Sequence, residues 1–180
     1  KIVYAKILDL DGLTAEDFSR HIGFPVRLFN DANAACFAEL YEVDGNEENG
    51  FYIMLSNNVG GAVFMNNSVF IGDNFRSGEA GHLMIHQDGA QCYCGQKGCL
   101  DPYCSATVLS DIADGSLDQF FNMLESGNPD AEALWDEYLN NLAIAVRNVR
   151  ILFDCPVIIG GYVGAKIDKY MPRLRALLDK

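Results

Sequence analysis

The sequence predicts an α/β fold, because segments with the pattern of strands alternate with segments with the pattern of helices along the chain. The longest helix is predicted over about residues 130–153, where apolar residues recur at spacings of three and four. A buried strand is predicted directly after it, over residues 156–159, and two glycines end that strand. A length of 180 residues with 49% hydrophobic residues suits one globular domain, which we assign to residues 1–180.

The first thirty residues predict one helix between two extended segments. Residues 1–7 have the composition of a strand, and residues 25–29 form a second short apolar run of the same kind. Between them, Thr14 is a good N-cap and Gly23 a good C-terminal stop, so we expect a helix there.

The middle of the chain predicts a helix, a polar loop and a set of strands. Asn30 and Asp31 open the helix, and Asn66 with Asn67 makes a hairpin turn between the last two strands. The loop is expected over residues 42–50, and the strands over residues 51–55, 62–65 and 68–71. Further helices are expected from Ser105, over residues 117–124 and after Gly161.

The charge and composition limit the partners that this stretch can bind. The net charge is −12 and the isoelectric point about 4.5, so the surface repels phosphate backbones and should not grip nucleic acid by itself. No apolar run approaches the roughly 20 residues that a membrane helix needs, so we expect no membrane contact. Three of the six cysteines cluster near a histidine, which indicates metal binding in a reducing compartment, and we expect a cytoplasmic protein.

The cysteine cluster has the spacing of a structural zinc knuckle. Cys92 and Cys94 can chelate one ion from a tight turn, and two glycines let the chain fold back so that Cys99 closes the loop. His82 lies ten residues before Cys92 and can supply the fourth ligand. Thiolates are soft ligands that select zinc, and a filled Cys₃His set leaves no position for a reactive water, so we predict a structural ion.

Other interpretations of the cysteines and histidines stay open at this point. The three clustered thiols can be buried residues without a ligand, and His86 or Cys104 can replace His82 as the fourth ligand. Cys36 and Cys155 lie in apolar helix or strand patterns, so we expect them to be packing residues.

Carboxylates and amides form a second group of candidate functional residues. Asn30 and Asp31 lie at a junction from strand to helix, where side chains and free N–H groups point towards a ligand, although Asp31 can also be an ordinary N-cap. Glu79 lies near His82, and Asp101 follows the last clustered cysteine by two residues, so a zinc ion would hold His82 and Asp101 close together. Such side chains suit adjacent hydroxyl groups of a polyol, and a carboxylate can also serve as a general base.

Several of these segments, in the same order, resemble the ROK family (repressors, open reading frames and kinases). Residues 78–82 (Gly-Glu-Ala-Gly-His) and 92–101 (Cys-Tyr-Cys-Gly-Gln-Lys-Gly-Cys-Leu-Asp) closely resemble its signature. Residues 30–39 (Asn-Asp-Ala-Asn-Ala-Ala-Cys-Phe-Ala-Glu) resemble its Asn-Asp-x-Asn segment, and residues 158–161 (Ile-Ile-Gly-Gly) its later glycine-rich strand end.

The resemblance implies a ribonuclease-H-like fold of two lobes, the actin and sugar-kinase fold, with this chain as most of the second lobe. Lys1 and Lys180 look like cut ends, so we expect the N-terminal lobe and any DNA-binding head to lie outside this sequence. The resemblance further implies a homodimer and a bound sugar. The implied sugar contacts are Asn30, Asp31, Glu79, His82 and Asp101, and the implied zinc ligands are His82, Cys92, Cys94 and Cys99.

In the kinases of the family, the residue that matches Asp31 is the base that deprotonates the attacking sugar hydroxyl. His82 would serve twice, with one ring nitrogen on zinc and the other facing the sugar, and zinc would fix the tautomer that allows this.

The chain departs from the family kinases mainly on the side that binds the nucleotide. The upstream Asp-x-Gly-Gly-Thr phosphate loop is not in this sequence, and residues 56–60 read Ser-Asn-Asn-Val-Gly where the kinases have Gly-Thr-Gly-Ile-Gly. Tyr162 stands where a third glycine is frequent, and Asp101 replaces the usual glutamate, which is one methylene longer.

These departures favour the sugar-sensing effector domain of a ROK transcriptional regulator, which would reach DNA only through an N-terminal head. The alternative is a ROK sugar kinase with ATP-Mg as donor and Asp31 as catalytic base. A third hypothesis is a zinc-stabilised interaction module without a ligand.

Overall fold

The computed structural model of the chain describes residues 2, 10–42 and 48–180. The strand predicted over residues 1–7 lies outside the described residues except for Ile2, and so does most of the loop predicted over residues 42–50. Within the described part, helices come before, between and after the strands of one sheet, which confirms the α/β class, although the elements come in runs and do not strictly alternate. None of the described helices is long and apolar enough to span a membrane.

A four-stranded mixed sheet forms the centre of the molecule, with the order β3-β2-β1-β4. The first three strands run antiparallel, and β4 lies parallel to β1 after a long helical crossover. Asn66 and Asn67 have φ values of 53° and 57°, so the predicted hairpin turn between β2 and β3 is confirmed. The strands are β1 (Gly50–Leu55), β2 (Val59–Met65), β3 (Ser68–Phe70) and β4 (Val157–Gly160).

Eight helices surround this sheet in the described part of the chain. They are α1 (Ala15–Ile22), α2 (Asp31–Glu42), α3 (Asp101–Cys104), α4 (Ala106–Ser110), α5 (Leu117–Glu125), α6 (Pro129–Phe153), α7 (Gly161–Gly164) and α8 (Met171–Leu178). Short 3₁₀ turns occupy Ala80–His82, Asp111–Ala113 and Asp168–Tyr170. The caps of α1 and α6 explain their limits: Gly23 adopts the left-handed conformation after α1, and the Asn128 side chain accepts two backbone hydrogen bonds at the start of α6.

The sheet is covered on both faces. On one face, α6 buries an aromatic and aliphatic core around Trp135 and Leu139, together with Ile53 and Leu55 of β1. On the other face, Cys36 of α2 packs with Tyr52 and other sheet residues in a second cluster. Two-sided burial explains why β1 is apolar without alternation. Cys36 is therefore a packing residue as predicted, and Cys155 lies half-buried against the larger core.

Three details of the sequence prediction are wrong. Residues 25–29 form no strand, because none of the described strands pairs with them, and Phe29 is 73% exposed. The strand β4 is half-buried instead of buried, because it pairs on one side only in the described sheet. The helix expected after Gly161 is interrupted by a 3₁₀ turn, and it resumes at Met171 with Pro172 in the first turn, where a missing N–H is tolerated.

Candidate metal centre and carboxylate cluster

Four ligand atoms converge where the sequence predicts a metal site. One atom each from His82, Cys92, Cys94 and Cys99 lies within 4.8 Å of all the others. Cys94 Sγ and Cys99 Sγ are 3.7 Å apart, and Cys92 Sγ lies 3.7 Å from His82 Nδ1. Two thiolates on one tetrahedral zinc would be about 3.8 Å apart, and a thiolate and an imidazole about 3.6 Å. The residues present therefore fit a tetrahedral ion.

The backbone brings these ligands together through tight turns. Gly95 has a φ of 95°, and its N–H donates to the carbonyl of Cys92. Gly98 has a φ of 76°, and a Cβ at this position would overlap the carbonyl of His86. An isolated bridge between Met84 and Cys99 joins the arm that carries the histidine ligand to the arm that carries the last cysteine. Gly95 is thus favoured by its backbone conformation, and Gly98 is required by both conformation and space.

The thiols lie in an environment that favours a neighbouring cation. Burial, reinforced by hydrogen bonds of the Cys99 thiol to the other two sulfur atoms, raises the pKa of Cys99 to about 12, and burial also raises the pKa of Cys92. A hydrogen bond from the Gln96 backbone lowers the pKa of Cys94. Buried thiols of this kind do not ionise readily by themselves, and a bound cation would offset the cost of the thiolate form.

His86 and Cys104, the two alternative candidates for the fourth metal ligand, have other partners. His86 Nε2 lies 2.7 Å from Asn141 Oδ1 on α6. Cys104 is fully buried, and its thiol faces the carbonyl of Tyr138 at 3.6 Å. Neither residue belongs to the group of four converging ligand atoms.

The orientation of His82 leaves one ring nitrogen for another task. Its Nδ1 faces Cys92 Sγ, so Nε2 is the nitrogen on the far side of the ring from the thiols. The ring is half-buried and meets Tyr93 edge-on, with centroids 5.1 Å apart. This orientation is compatible with the double role that the sequence analysis expects.

At the start of α2, Asn30 acts as the cap and Asp31 does not. Asn30 Oδ1 accepts a hydrogen bond of 2.9 Å from the N–H of Asn33, three residues on. Asp31 is the first helical residue and is exposed. Among the described residues, its side chain makes one hydrogen bond, which Oδ1 accepts from the N–H of the next residue, Ala32. The capping interpretation thus applies to Asn30, and the Asp31 carboxylate is left accessible at a helix N-terminus.

The helix α2 and the 3₁₀ turn that ends in His82 both lie against the first residues of β2. A Cβ on Gly60 would lie 3.0 Å from the Cβ of Ala32, so α2 approaches β2 closely next to Asp31. A Cβ on Gly81 would overlap the carbonyl of Val59, so the 3₁₀ turn that ends in His82 lies directly against the same strand. Position 81 therefore needs glycine for space, whereas a side chain at position 60 would make tight contacts that its neighbours would have to relieve.

Asp101 is fixed under this arrangement. Its side chain is 6% exposed, and Oδ1 accepts a buried hydrogen bond of 2.7 Å from the N–H of Val59. Burial raises the pKa of Asp101, whereas hydrogen bonds from Val59 and Asn58 and the charge of His82 lower it. The structure therefore joins Asp101 to the loop before β2, a contact that the sequence analysis missed because 42 residues separate the partners.

Tyr162 and Asn33 show features that sequence analysis did not resolve. Tyr162 is 61% exposed at the start of α7. Asn33 Oδ1 is buried without a hydrogen-bond partner among the described residues. The only signal for Asn33 in the sequence is its place in the Asn-Asp-Ala-Asn segment. Glu79 is exposed directly before the 3₁₀ turn that ends in His82.

The mixed α/β fold of this chain, with its group of one histidine and three cysteines, is similar to the fold of ROK sugar kinases. The chain belongs to the ROK family, whose sequence profile matches residues 7–180.

The proteins that this chain resembles include both kinases and a transcriptional regulator. The chain is 30% identical over 171 residues to an N-acetylmannosamine kinase of Citrobacter koseri, covering 92% of this chain and 58% of that protein. The structure of a ROK family glucokinase from Streptomyces griseus in complex with glucose and AMPPNP superposes with a TM-score of 0.83 at 25% identity, covering 98% of this chain and 66% of that one. A ROK family transcriptional regulator, a homologue of the E. coli MLC protein, shares the fold with a TM-score of 0.74 at 23% identity, over 92% of this chain and 46% of that one. The chain spans about half the length of the curated relatives it matches.

Proposed function

We propose that this chain is the sugar-binding part of a ROK-family ATP-dependent sugar kinase that acts on a hexose or an N-acetylhexosamine. The observation that carries the proposal is the capping of α2 by Asn30, which leaves the Asp31 carboxylate accessible as a base. Relatives named N-acetylmannosamine kinase, at 27–30% identity, support this hypothesis better than the sensor that the sequence analysis favoured. The sequence given would be most of the second lobe.

In this proposal, Asp31 accepts the proton of one sugar hydroxyl. The hydroxyl oxygen forms a bond to the γ-phosphorus of ATP, the bond from that phosphorus to the β–γ bridging oxygen breaks, and ADP leaves with its magnesium ion. Asn30 keeps its side-chain N–H groups for a hydroxyl, because only Oδ1 is used in capping. Glu79 and His82 Nε2 would orient the sugar, and the prediction that Asp101 also contacts it is carried forward.

Zinc, when bound by His82, Cys92, Cys94 and Cys99, would supply a fixed ring orientation for His82. The histidine then presents Nε2–H, a donor for a sugar oxygen, at a position set by the knuckle and not by a flexible side chain. The homodimer remains a prediction.

The proposal is tested with the full-length protein, ATP-Mg and a panel that includes glucose, N-acetylglucosamine and N-acetylmannosamine, with ADP release as the measurement. We expect turnover of at least one sugar, and a loss of about 10²–10⁴-fold in kcat for Asp31→Asn, the range for a general base. Calorimetry should show that this variant still binds the sugar. A protein that binds a sugar but releases no ADP would refute the kinase proposal.

A second candidate is the sugar-sensing domain of a regulator, and the loop Ser56–Val59 favours it. The Val59 N–H, a donor that could face a phosphate, is already used by Asp101, and Asn57 and Asn58 replace the small residues of a phosphate loop. Tyr162 presents a large side chain where close backbone approach is expected. Sugar binding without ATP binding by the full-length protein would select this candidate.

A further inference from the structure

The hydroxyl of Tyr52 lies against the two glycines at the end of β4. Tyr52 belongs to β1 and pairs with Ile158 of β4, two residues before Gly160. The side chain is buried, and a Cβ on Gly160 would overlap its hydroxyl oxygen and lie 2.6 Å from the ring carbon that carries this oxygen. The phenol of Tyr52 therefore fills the space that a side chain at position 160 would need.

This contact, and not the backbone conformation, explains the glycine at position 160. Gly160 has φ −130° and ψ −162°, an extended conformation that other residues can adopt. Gly161 differs, because its φ is 81° and a Cβ there would lie 2.7 Å from the carbonyl oxygen of Leu55, the last residue of β1. The turn Gly160–Gly161 is thus packed against both the backbone at the end of β1 and the side chain of Tyr52.

The Tyr52 hydroxyl also has a polar partner in this turn. Burial raises the pKa of Tyr52, and the charge of Glu39 adds to the rise. A hydrogen bond from the Gly161 backbone acts in the opposite direction, because an N–H that donates to the phenolic oxygen favours the ionised form. Buried hydroxyl groups need such a partner, so the turn explains why position 52 carries tyrosine and not phenylalanine.

The same side chain contacts the helix that carries the candidate base. Tyr52 packs with Cys36 of α2 in the smaller core cluster, and α2 begins at Asp31. One buried aromatic ring therefore links α2 to the turn Gly160–Gly161. Side chains in such a core interdigitate with few voids, so a change at position 52 is transmitted to its neighbours.

We propose that Tyr52 is a positioning residue for the turn Gly160–Gly161. This inference rests on the proposed function, in which the turn lies on the side of the site that binds ATP. The hydroxyl would hold the backbone of the turn where the nucleotide approaches it, at a fixed position relative to α2. Loss of this hydroxyl should therefore change the use of ATP more than the use of the sugar.

The first test removes only the hydroxyl, in the full-length protein. Tyr52→Phe keeps the ring and its packing against α2. We expect this variant to raise KM for ATP about three- to tenfold, the scale of one lost hydrogen bond, and to change KM for the sugar by less than about twofold. An unchanged KM for ATP, or a KM for the sugar that rises as much as KM for ATP, would overturn the proposal.

Tyr138→Phe is the matched control for this test. It also removes a buried hydroxyl, which donates to the carbonyl of Cys104 in the larger core on the other face of the sheet. We expect KM for ATP of this control to stay within about twofold of the wild type, although one hydrogen bond is lost. An equal rise in KM for ATP in both variants would assign the effect to general loosening and contradict the positioning role.

A double-mutant cycle tests the contact between Tyr52 and Gly160 directly. Gly160→Ala should lower kcat/KM for ATP at least about fivefold, because its methyl group overlaps the phenol. In the background of Tyr52→Val, where the ring is absent, the same substitution should cost less than about twofold. An equal loss in both backgrounds would show that position 160 needs glycine for a reason other than Tyr52.

Hydrogen exchange separates this inference from the kinase proposal. Without nucleotide, the Gly161 amide should exchange faster in Tyr52→Phe than in the wild type, because its acceptor is gone. If the wild type phosphorylates no sugar, the proposed function fails, and the exchange rate still decides whether Tyr52 holds the turn. The same rate at Gly161 in both proteins would contradict the inference even in an active kinase.

Discussion

His86 Nε2 lies 2.7 Å from Asn141 Oδ1, and this hydrogen bond joins the knuckle around the candidate metal centre to the longest helix, α6. Asn141 is one of the few buried polar side chains in the described residues, at 4% exposure. The His86 ring also meets Tyr103 edge-on at 4.9 Å between centroids, and the Tyr103 hydroxyl accepts the N–H of Ala90. The knuckle is therefore attached to the helical layer by contacts that need no metal ion.

The first prediction concerns this attachment. Asn141→Ala should lower the free energy of unfolding by about 1–3 kcal/mol, because it leaves His86 Nε2 without its partner and opens a small cavity. Urea unfolding of the full-length protein measures the change. His86→Gln is the matched variant: its side-chain amide can still donate to Asn141, so we expect a smaller loss. Equal stability of Asn141→Ala and the wild type would show that this hydrogen bond is unimportant.

Local spacing was enough to predict the ligand cluster and most element limits. Cys92, Cys94 and Cys99 lie within one short loop, so turn geometry alone places them near each other. The stop at Gly23 is likewise set by the conformation of one residue. Features of this kind depend on a few neighbouring residues and can be recognised in a sequence.

Contacts between distant segments could not be predicted in the same way. Asp101 and Val59 are 42 residues apart, and only the folded sheet shows that the carboxylate is occupied by a backbone N–H. The strand that was wrongly predicted over residues 25–29 has a suitable composition. A strand also needs a pairing partner, however, and its own residues cannot specify one. Whether Asn30 or Asp31 caps α2 depends on the exact residue at which the helix begins, and sequence patterns define that residue poorly.

The second prediction concerns metal removal. Cys92 and Cys99 are each 2% exposed, so removing a bound ion would leave buried sulfur ligands without the cation that offsets the cost of their thiolate form. A chelator should speed hydrogen exchange over residues 79–104 and weaken sugar binding at the same time, because His82 belongs to both sites in the proposal. Zinc content by elemental analysis, exchange by mass spectrometry and sugar affinity by calorimetry give the three measurements. Unchanged sugar affinity after complete zinc loss would refute the coupling through His82.

The third prediction is a pH dependence of α1. The Asp17 carboxylate accepts hydrogen bonds of 2.8 Å from both the N–H and the hydroxyl of Thr14, and these bonds lower the pKa of Asp17 in the folded state. A lowered pKa means that the stabilisation is fully present above the pKa of the unfolded chain and is lost as the pH falls through the folded value. The amide signals of α1 should therefore shift on acidification below about pH 4, the ordinary pKa of an aspartate. Asp17→Asn should remove this titration; a persistent shift in that variant would assign it to another group.

The fourth prediction tests whether the contact between the 3₁₀ turn and β2 positions His82. Gly81 needs no unusual backbone conformation, but a Cβ there would overlap the Val59 carbonyl, which belongs to a central strand and cannot move easily. Gly81→Ala should therefore push the turn away from β2, lower the free energy of unfolding by about 1–3 kcal/mol, and weaken sugar binding because His82 moves with its neighbour. Gly164→Ala is a matched control in α7: its Cβ would lie 3.0 Å from the Ile159 carbonyl oxygen, a tight contact but a milder one than the 2.2 Å overlap at Gly81, so sugar affinity should stay unchanged. Calorimetric titration of both variants decides the matter, since a Gly81→Ala protein with wild-type sugar affinity would separate His82 from the sugar site.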